Sequence, residues 1–349
     1  MKLSQLLALR AVAAAGLAIG ITRRCPLACA HCSTNSTTHS EQQPEALFRR
    51  FVDSFTAADH PQVLALSGGE AMLRPRLVRA LAERTRAVGG RVTALSGAFF
   101  ARRSRIPADI AAAIAALDHF SVSIDAFHER EVPREAVFAL LADRLAAGQQ
   151  VSLHTVADGA DDPYVADLVA AVTARFGNRV PVMVSPLRFF GRARDWLVPD
   201  TTTTATPADP EPCAMAAWPV IGFDGTIVAC GNDDALDTLP AHLRLGHAAT
   251  DDWPAIRQRT QASAMLRAIR TFGPLHLAAQ AGAHCDGYCA TCMKLGDTPA
   301  AAPLAEAMWQ RPSAAALEAQ VALLQQAGGA IGFARRHGVP RYAELVGAA

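Results

Sequence analysis

Three cysteines, Cys25, Cys29 and Cys32, stand in the run Arg24-Cys25-Pro26-Leu27-Ala28-Cys29-Ala30-His31-Cys32 with the spacing C-x3-C-x2-C. Three thiolates this close can hold one face of an iron–sulfur cube and leave the fourth iron without a protein ligand. Clusters that only carry electrons are normally closed by four thiolates. An open position is what separates catalytic from structural metal sites, as it does for zinc. The triplet therefore points to an enzyme. Zinc is the alternative, but structural zinc prefers paired C-x2-C units that sum to four ligands. The next cysteine after the triplet is Cys213.

That residue opens a second group: Cys213, Cys230, Cys285, Cys289 and Cys292. Disulfide frameworks belong to small secreted domains, whereas short-spaced cysteines in a long chain read as metal ligands. With 349 residues, 51% apolar and 19% charged, the chain has ample material for a large core. Its net charge is +1, with no run of lysine and arginine, so neither nucleic acid nor an anionic membrane is an expected partner. The apolar stretch Leu6 to Ile19 is interrupted by Arg10 and is too short to span a bilayer. It also leads straight into the first cysteine, where a signal-peptide cleavage would cut just before the motif, so a cytoplasmic location is expected.

The elements that must position these residues alternate regularly. Strands are predicted at Leu17–Thr22, Gln62–Ser67, Arg91–Ser96, His119–Asp125, Gln150–Val156 and Val180–Leu187. Helices fall between them, near 41–56, 73–88, 106–117, 133–147 and 163–176, with Pro107, Pro133 and Pro163 where a helix begins. Repeated strand–helix units give a parallel sheet, open or curled into a barrel. After Leu187 the rhythm breaks. Thr201–Pro212 reads as a surface linker. Trp218 to Cys230 reads as a hairpin turning at Asp224-Gly225. A helix at 254–271, a cysteine-rich loop at Cys285–Cys292 and a helix at 303–327 follow.

Along the fourth strand, Ser121, Ser123 and Asp125 share one face and Phe120, Val122 and Ile124 the other. The apolar set must pack on helices, which turns the polar set inward, with Ser123 and Asp125 at the strand's C-terminal end where barrel active sites gather. Helix capping is the other reading of Asp125. His128 and Glu129 read as a solvated turn. On the fifth strand Ser152 and His154 likewise face inward, and His154 is a candidate ligand contact or a satisfied core histidine. Ser67-Gly68-Gly69-Glu70 closes the second strand with a turn whose backbone can approach a ligand closely.

Taken together, the cysteine triplet and the Ser67–Glu70 turn, continued by Leu73-Arg74-Pro75, resemble the radical S-adenosylmethionine (SAM) superfamily. The resemblance implies a partial (β/α)6 TIM-like barrel over residues 1–195, with a [4Fe-4S] cluster on Cys25, Cys29 and Cys32. SAM would bind the open iron and be cleaved reductively to a 5′-deoxyadenosyl radical that takes hydrogen from substrate. Such cofactors carry the hard chemistry, and the protein positions them. The resemblance assigns the glycine turn (Ser67, Gly68, Gly69, Glu70) to the SAM amino group. It assigns Ser123 and Asp125 to the ribose or the site's network. Gly191-Arg192-Ala193 is similar to a tripeptide in relatives with extra clusters, where Arg192 could pair with a carboxylate. His31 is a mild departure, because an aromatic residue is usual there.

The later cysteines resemble the family's SPASM and twitch extensions, small α+β modules that hold auxiliary clusters. A full SPASM module has seven cysteines; five here suit one auxiliary [4Fe-4S] cluster, with Cys285 the expected spare and Cys289 and Cys292 the terminal pair. A zinc site on Cys213, Cys230, Cys289 and Cys292 is the alternative. This divides the chain into a 1–195 core, a 196–212 linker, a 213–300 auxiliary domain and a 301–349 helical segment. The function expected is oxidative modification of a ribosomally made peptide, with the auxiliary cluster accepting an electron and a flavodoxin or ferredoxin supplying one. The alternatives are a small-molecule dehydrogenase of the aminocyclitol type and, more remotely, a non-catalytic iron–sulfur or zinc protein.

Overall fold

Among the described residues, nine strands form one sheet in the order β6-β5-β4-β3-β2-β1-β7-β8-β9. They are β1 (Gly16–Gly20), β2 (Val63–Ser67), β3 (Arg91–Ser96), β4 (His119–Ser123), β5 (Val151–Ala157), β6 (Val182–Pro186), β7 (Val220–Ile221), β8 (Thr226–Val228) and β9 (Arg244–His247). This computed structural model describes residues 1–103, 105–198 and 210–347. The first six strands pair in parallel and in sequence order, forming the expected partial, open barrel.

Alternation along the strands decides what each face does. Leu17, Ile19, Leu64, Leu66, Val92, Phe120, Val122 and Leu153 are buried in the main core. The helices packed over that face run Glu45–Asp53, Pro75–Ala87, Ala108–Ala115, Arg134–Ala146 and Pro163–Phe176. Pro107 and Pro133 sit just before their helices, and Pro75 and Pro163 occupy first turns, where the missing N–H costs nothing. The opposite face carries small and polar residues, including Ala65, Ser67, Thr93, His119, Ser121, Ser152 and His154.

At the lower part of that concave face, a second core joins Leu3, Leu6 and Leu7 of the first helix (Leu3–Ala8) to Val63, Met183, Trp218, Ala330, Ala334 and Val346. Gly16 must be glycine, because a Cβ there would lie 2.4 Å from the Trp218 ring. At the far edge, Val339 N–H donates to the Val184 carbonyl (2.9 Å), so the C-terminal segment covers β6.

The Trp218–Cys230 hairpin forms with its turn at Asp224-Gly225, and Asp224 Oδ1 accepts from Thr226 N–H (2.9 Å). Beyond what periodicity predicted, β7 also pairs in parallel with β1, so the barrel sheet runs on into the hairpin. The helix expected at 254–271 is two, Trp253–Ala262 and Ala264–Phe272, because the Ser263 side chain caps the second by accepting from Leu266 N–H. The 303–327 helix is likewise divided into Ala301–Trp309 and Ala314–His337, the latter broken at Gly329 (φ +56°). Of the expected 196–212 linker, residues 199–209 lie outside the described residues. Among the described residues, no helix is long and apolar enough to cross a membrane.

Candidate metal and cofactor site

The cysteine triplet lies on the loop after β1, held by the glycine turn after β2. Ile21 N–H donates to the Ser67 carbonyl (2.9 Å), Gly69 N–H to Thr22 (2.7 Å) and Glu70 N–H to Arg24 (2.9 Å). A Cβ on Gly68 would lie 2.3 Å from the Thr22 carbonyl oxygen, and one on Gly69 2.5 Å from those of Arg23 and Arg24. The two glycines are therefore required by contact with the cysteine loop itself. Glu70 is buried, and its carboxylate accepts from Met72 N–H (2.8 Å), Ser96 Oγ (2.8 Å) and Gly97 N–H (2.9 Å). It ties β2 to β3. Burial, the largest influence, raises its pKa against those three hydrogen bonds.

All eight cysteines are free. Backbone amides of Leu27 and Ser36 donate to Cys25 Sγ (3.4 Å) and Cys32 Sγ (3.3 Å). Burial pushes the Cys25 thiol up to about 12 and raises Cys29 too. Thiolates are disfavoured there unless a metal supplies positive charge, and a coordinating thiol is deprotonated outright. Three soft sulfurs on one short loop, Cys25 and Cys29 buried and Cys32 half-buried, with amide donors aimed at two of them, fit an iron–sulfur cluster.

A strap after β6 holds the loop from its other side. Arg192 Nη1 donates to the Cys29 carbonyl (2.7 Å), its Nη2 to that of Ser36, and its backbone N–H to that of Cys32 (2.9 Å). Gly191 (φ +49°) allows the approach, since a Cβ would stand 2.3 Å from the Cys32 and Ser33 oxygens. Trp196 Nε1 donates to the Ala30 carbonyl (2.8 Å). Arg192 thus binds carbonyl oxygens of the cysteine loop, where a carboxylate partner had been expected.

Asp125 is buried and does what a capping residue does: Oδ1 accepts from the amides of Phe127 (2.9 Å) and His128 (3.0 Å). Its Oδ2 accepts from His128 Nδ1 (2.6 Å) and lies 3.3 Å from His31 Nε2. His128 is thereby drawn inward, not into the solvated turn read from the sequence. Glu129 in turn pairs with Arg134 (3.0 Å) and accepts from the Tyr164 hydroxyl (2.7 Å). His31 stacks on Phe127 with ring centroids 4.7 Å apart, and burial lowers its pKa to about 4.

Inside the barrel, the polar face of β4 and β5 forms a directional chain. The Met1 carbonyl can only accept, so His119 Nδ1 donates to it (2.9 Å) and His119 Nε2 accepts from Ser152 Oγ (2.8 Å). Ser121 Oγ then donates to Ser152 Oγ (2.9 Å). His119 was not singled out from sequence, although it shares the i, i+2 face of Ser121 and Ser123. Ser123 pairs in register with His154, whose Nε2 is buried and has no hydrogen-bond partner among the described residues.

The later cysteines converge as well. Cys213 precedes a short 3-10 turn, Cys230 follows β8, and Cys289 and Cys292 sit three apart on one face of the helix Tyr288–Lys294. Burial, then the proximity of Cys213, Cys230 and Cys289, pushes Cys292 well above the usual thiol range. Burial and Cys213 take Cys230 up to about 12. Cys285 precedes the helix, with its sulfur 3.9 Å from the Leu275 carbonyl. Four gathered thiols, all buried but the half-buried Cys289, fit a second metal–sulfur group. Among the described residues, the ligand atoms of His31, Asp125 and His128 make up the His, Cys, Asp and Glu group drawn within 4.8 Å of one another.

Residues 19–160 match the family model described as Radical SAM superfamily. That stretch runs from the end of β1 through β5 and includes the cysteine loop, so the part of the chain similar to this family is the one that carries the triplet and the glycine turn. Among solved structures, Streptococcus suis SuiB bound to precursor peptide SuiA aligns with TM-score 0.53 at 13% identity, over 75% of this chain and 68% of that one. The structure of anSMEcpe with bound AdoMet aligns with TM-score 0.50 at 11% identity, over 83% and 98%. Against Streptococcus suis SuiB alone, the chain spans 61% of that protein's length and 63% of its own (TM-score 0.47, 11% identity). At these identities the likeness is one of fold. No curated protein matches the chain.

Proposed function

We propose that this enzyme uses Cys25, Cys29 and Cys32 to hold a [4Fe-4S] cluster with SAM at its open iron, and acts on a peptide. When bound, cluster and SAM supply a 5′-deoxyadenosyl radical for hydrogen abstraction, after reduction by a flavodoxin- or ferredoxin-type donor. The chain's own contribution is positional. The Gly68–Gly69 turn and Arg192 fix the cysteine loop, while Ser123, Asp125 and His154 present polar atoms toward the same mouth. Excluding water there protects reactive species from side reactions.

The single observation that carries the peptide reading is the rim beside the cysteine loop. Phe189 and Trp196 are exposed there, Val198 is 83% exposed, and Trp196 packs on Phe127 at 5.6 Å between centroids. Aromatic and aliphatic side chains offered next to a catalytic loop suit the apolar side chains of a peptide better than a polyhydroxylated ring. The peptide named with SuiB supports this reading by analogy of fold. The proposed auxiliary site is Cys213, Cys230, Cys289 and Cys292, with Cys285 outside it, on a 213–300 module after a 1–195 core.

Reduced, iron-loaded protein given SAM is expected to release 5′-deoxyadenosine, and replacing Cys25, Cys29 and Cys32 with alanine to abolish it. No release from fully loaded protein would sink the enzymatic assignment of this site. With a deuterated precursor peptide, deuterium is expected in 5′-deoxyadenosine; transfer from a deuterated cyclitol instead would replace the peptide reading with a small-molecule one.

A further inference from the structure

Arg10 brings a cation to the C-terminal cysteines without a carboxylate to balance it. Its guanidinium carbon stands 4.5 Å over the Trp218 ring and 5.8 Å from that of Phe333. Its Nη2 donates to Met215 Sδ (3.3 Å), a weak acceptor. Met215 lies two residues after Cys213. On the other side is Gly231, directly after Cys230, where a Cβ would come 3.2 Å from Arg10 Nη2 and 2.7 Å from Met215 Cε. Among the described residues Arg10 makes no ion pair. The side chain is half-buried, and of its five N–H donors one meets a weak thioether acceptor, while the charge itself has only two aromatic faces beside it. Burial lowers its pKa to about 10, opposed by Cys230 and Cys213, so it stays charged at neutral pH.

We propose that Arg10 is the built-in counter-cation of the metal–thiolate group on Cys213, Cys230, Cys289 and Cys292, and raises that group's reduction potential. This rests on the auxiliary-cluster reading above. One-electron reduction adds a negative charge to the cluster without making or breaking a bond, and a fixed cation nearby favours the reduced form. Net charge near a cluster is one of the levers that set its potential. Trp218 acts as the platform, its Nε1 donating to the Leu9 carbonyl (3.0 Å) next to Arg10. The second core, which closes the barrel floor, thereby also delivers the charge.

The test uses the full-length, iron-loaded chain with Cys25, Cys29 and Cys32 replaced by alanine, so that iron reports the C-terminal site alone. Dithionite with mediators supplies the electron, and electron paramagnetic resonance reads the reduced fraction. Arg10→Gln is expected to lower the reduced-to-oxidised ratio at fixed potential about tenfold, equivalent to about 59 mV for one electron. Arg10→Lys, which keeps the charge, is expected to stay within about threefold of the parent. An unchanged ratio in Arg10→Gln with iron retained overturns the role of Arg10 and leaves the auxiliary cluster standing. So does an equal fall in Arg10→Lys with iron retained, since charge would then not be the cause. A parent protein that binds no iron overturns the cluster reading and the inference together.

Discussion

The guanidinium of Arg192 donates to the carbonyl of Cys29, 163 positions earlier in the chain, at 2.7 Å. Through that bond the segment after the sixth strand controls the shape of the loop after the first. Arg192 also holds the Ser36 carbonyl, so one side chain ties the middle cysteine of the triplet to the segment that follows the last.

Arg192→Ala should therefore loosen the cysteine loop without touching a sulfur. Hydrogen bonds from a charged donor contribute about 1.5–3 kcal/mol each. Chelator-driven iron release from the first site should accelerate at least severalfold, while iron in the C-terminal site is released at the parent rate. Two-phase release kinetics, followed by absorbance, separate the sites.

Gly69→Ala tests the backbone contact between the glycine turn and the same loop. The methyl group would meet two carbonyl oxygens at 2.5 Å, and neither is the end of a flexible side chain. Overpacking of this kind costs about 1–3 kcal/mol. The urea midpoint should fall accordingly. Gly332→Ala, where nothing lies within 4 Å and φ is not positive, serves as the comparison without steric overlap.

Cysteine substitutions should distinguish the gathered four from the fifth. Cys285→Ala is expected to retain about eight irons per chain, as two cubes require, and Cys289→Ala to fall to about four. Iron and sulfide analysis of reconstituted protein reads this directly. Equal loss in both variants would place Cys285 among the ligands.

Stability should fall on mild acidification because of His119. Burial, the first cause, lowers its pKa from 6.5 to about 4, so the folded protein keeps it neutral where the unfolded chain takes up a proton. The unfolded state then binds more protons between pH 6.5 and 4, and stability declines as pH falls through that window. A difference of this size amounts to about 3 kcal/mol at its lower end. In His119→Gln the urea midpoint should vary less between about pH 7 and about pH 4.5 than in the parent. His154, lowered to about 4 by burial alone, contributes a similar fall that remains in the variant.

Much of this architecture was legible because it is written in short-range pattern. The six barrel strands, their five helices and the Asp224-Gly225 hairpin follow from alternation and turn chemistry, and the triplet marks candidate ligands by spacing alone. Long-range partners were not legible in the same way. Whether Arg192 meets a carboxylate or a carbonyl depends on where a loop 163 residues away passes. His128 looked like part of a polar turn, and only the position of Asp125 at a strand end draws its ring inward. Ser263 broke a helix that continuous periodicity carried through, because a local side-chain cap competes well with one more turn. The role of Arg10 was hidden for the opposite reason. It read as a break in an apolar stretch, and its partners come from residues 215, 218 and 231.

The pairing of β1 with β7 has a bearing on how the chain can be dissected. Strand β1 leads into the cysteine loop, and its neighbours come from both sides of the stretch between residues 196 and 212. A chain cut after residue 195 would strip β1 of one neighbour and leave Ala18 and Ile19 as an open, apolar strand edge. Such edges recruit other strands. The excised barrel is therefore expected to self-associate, even though Cys25, Cys29 and Cys32 are all still present.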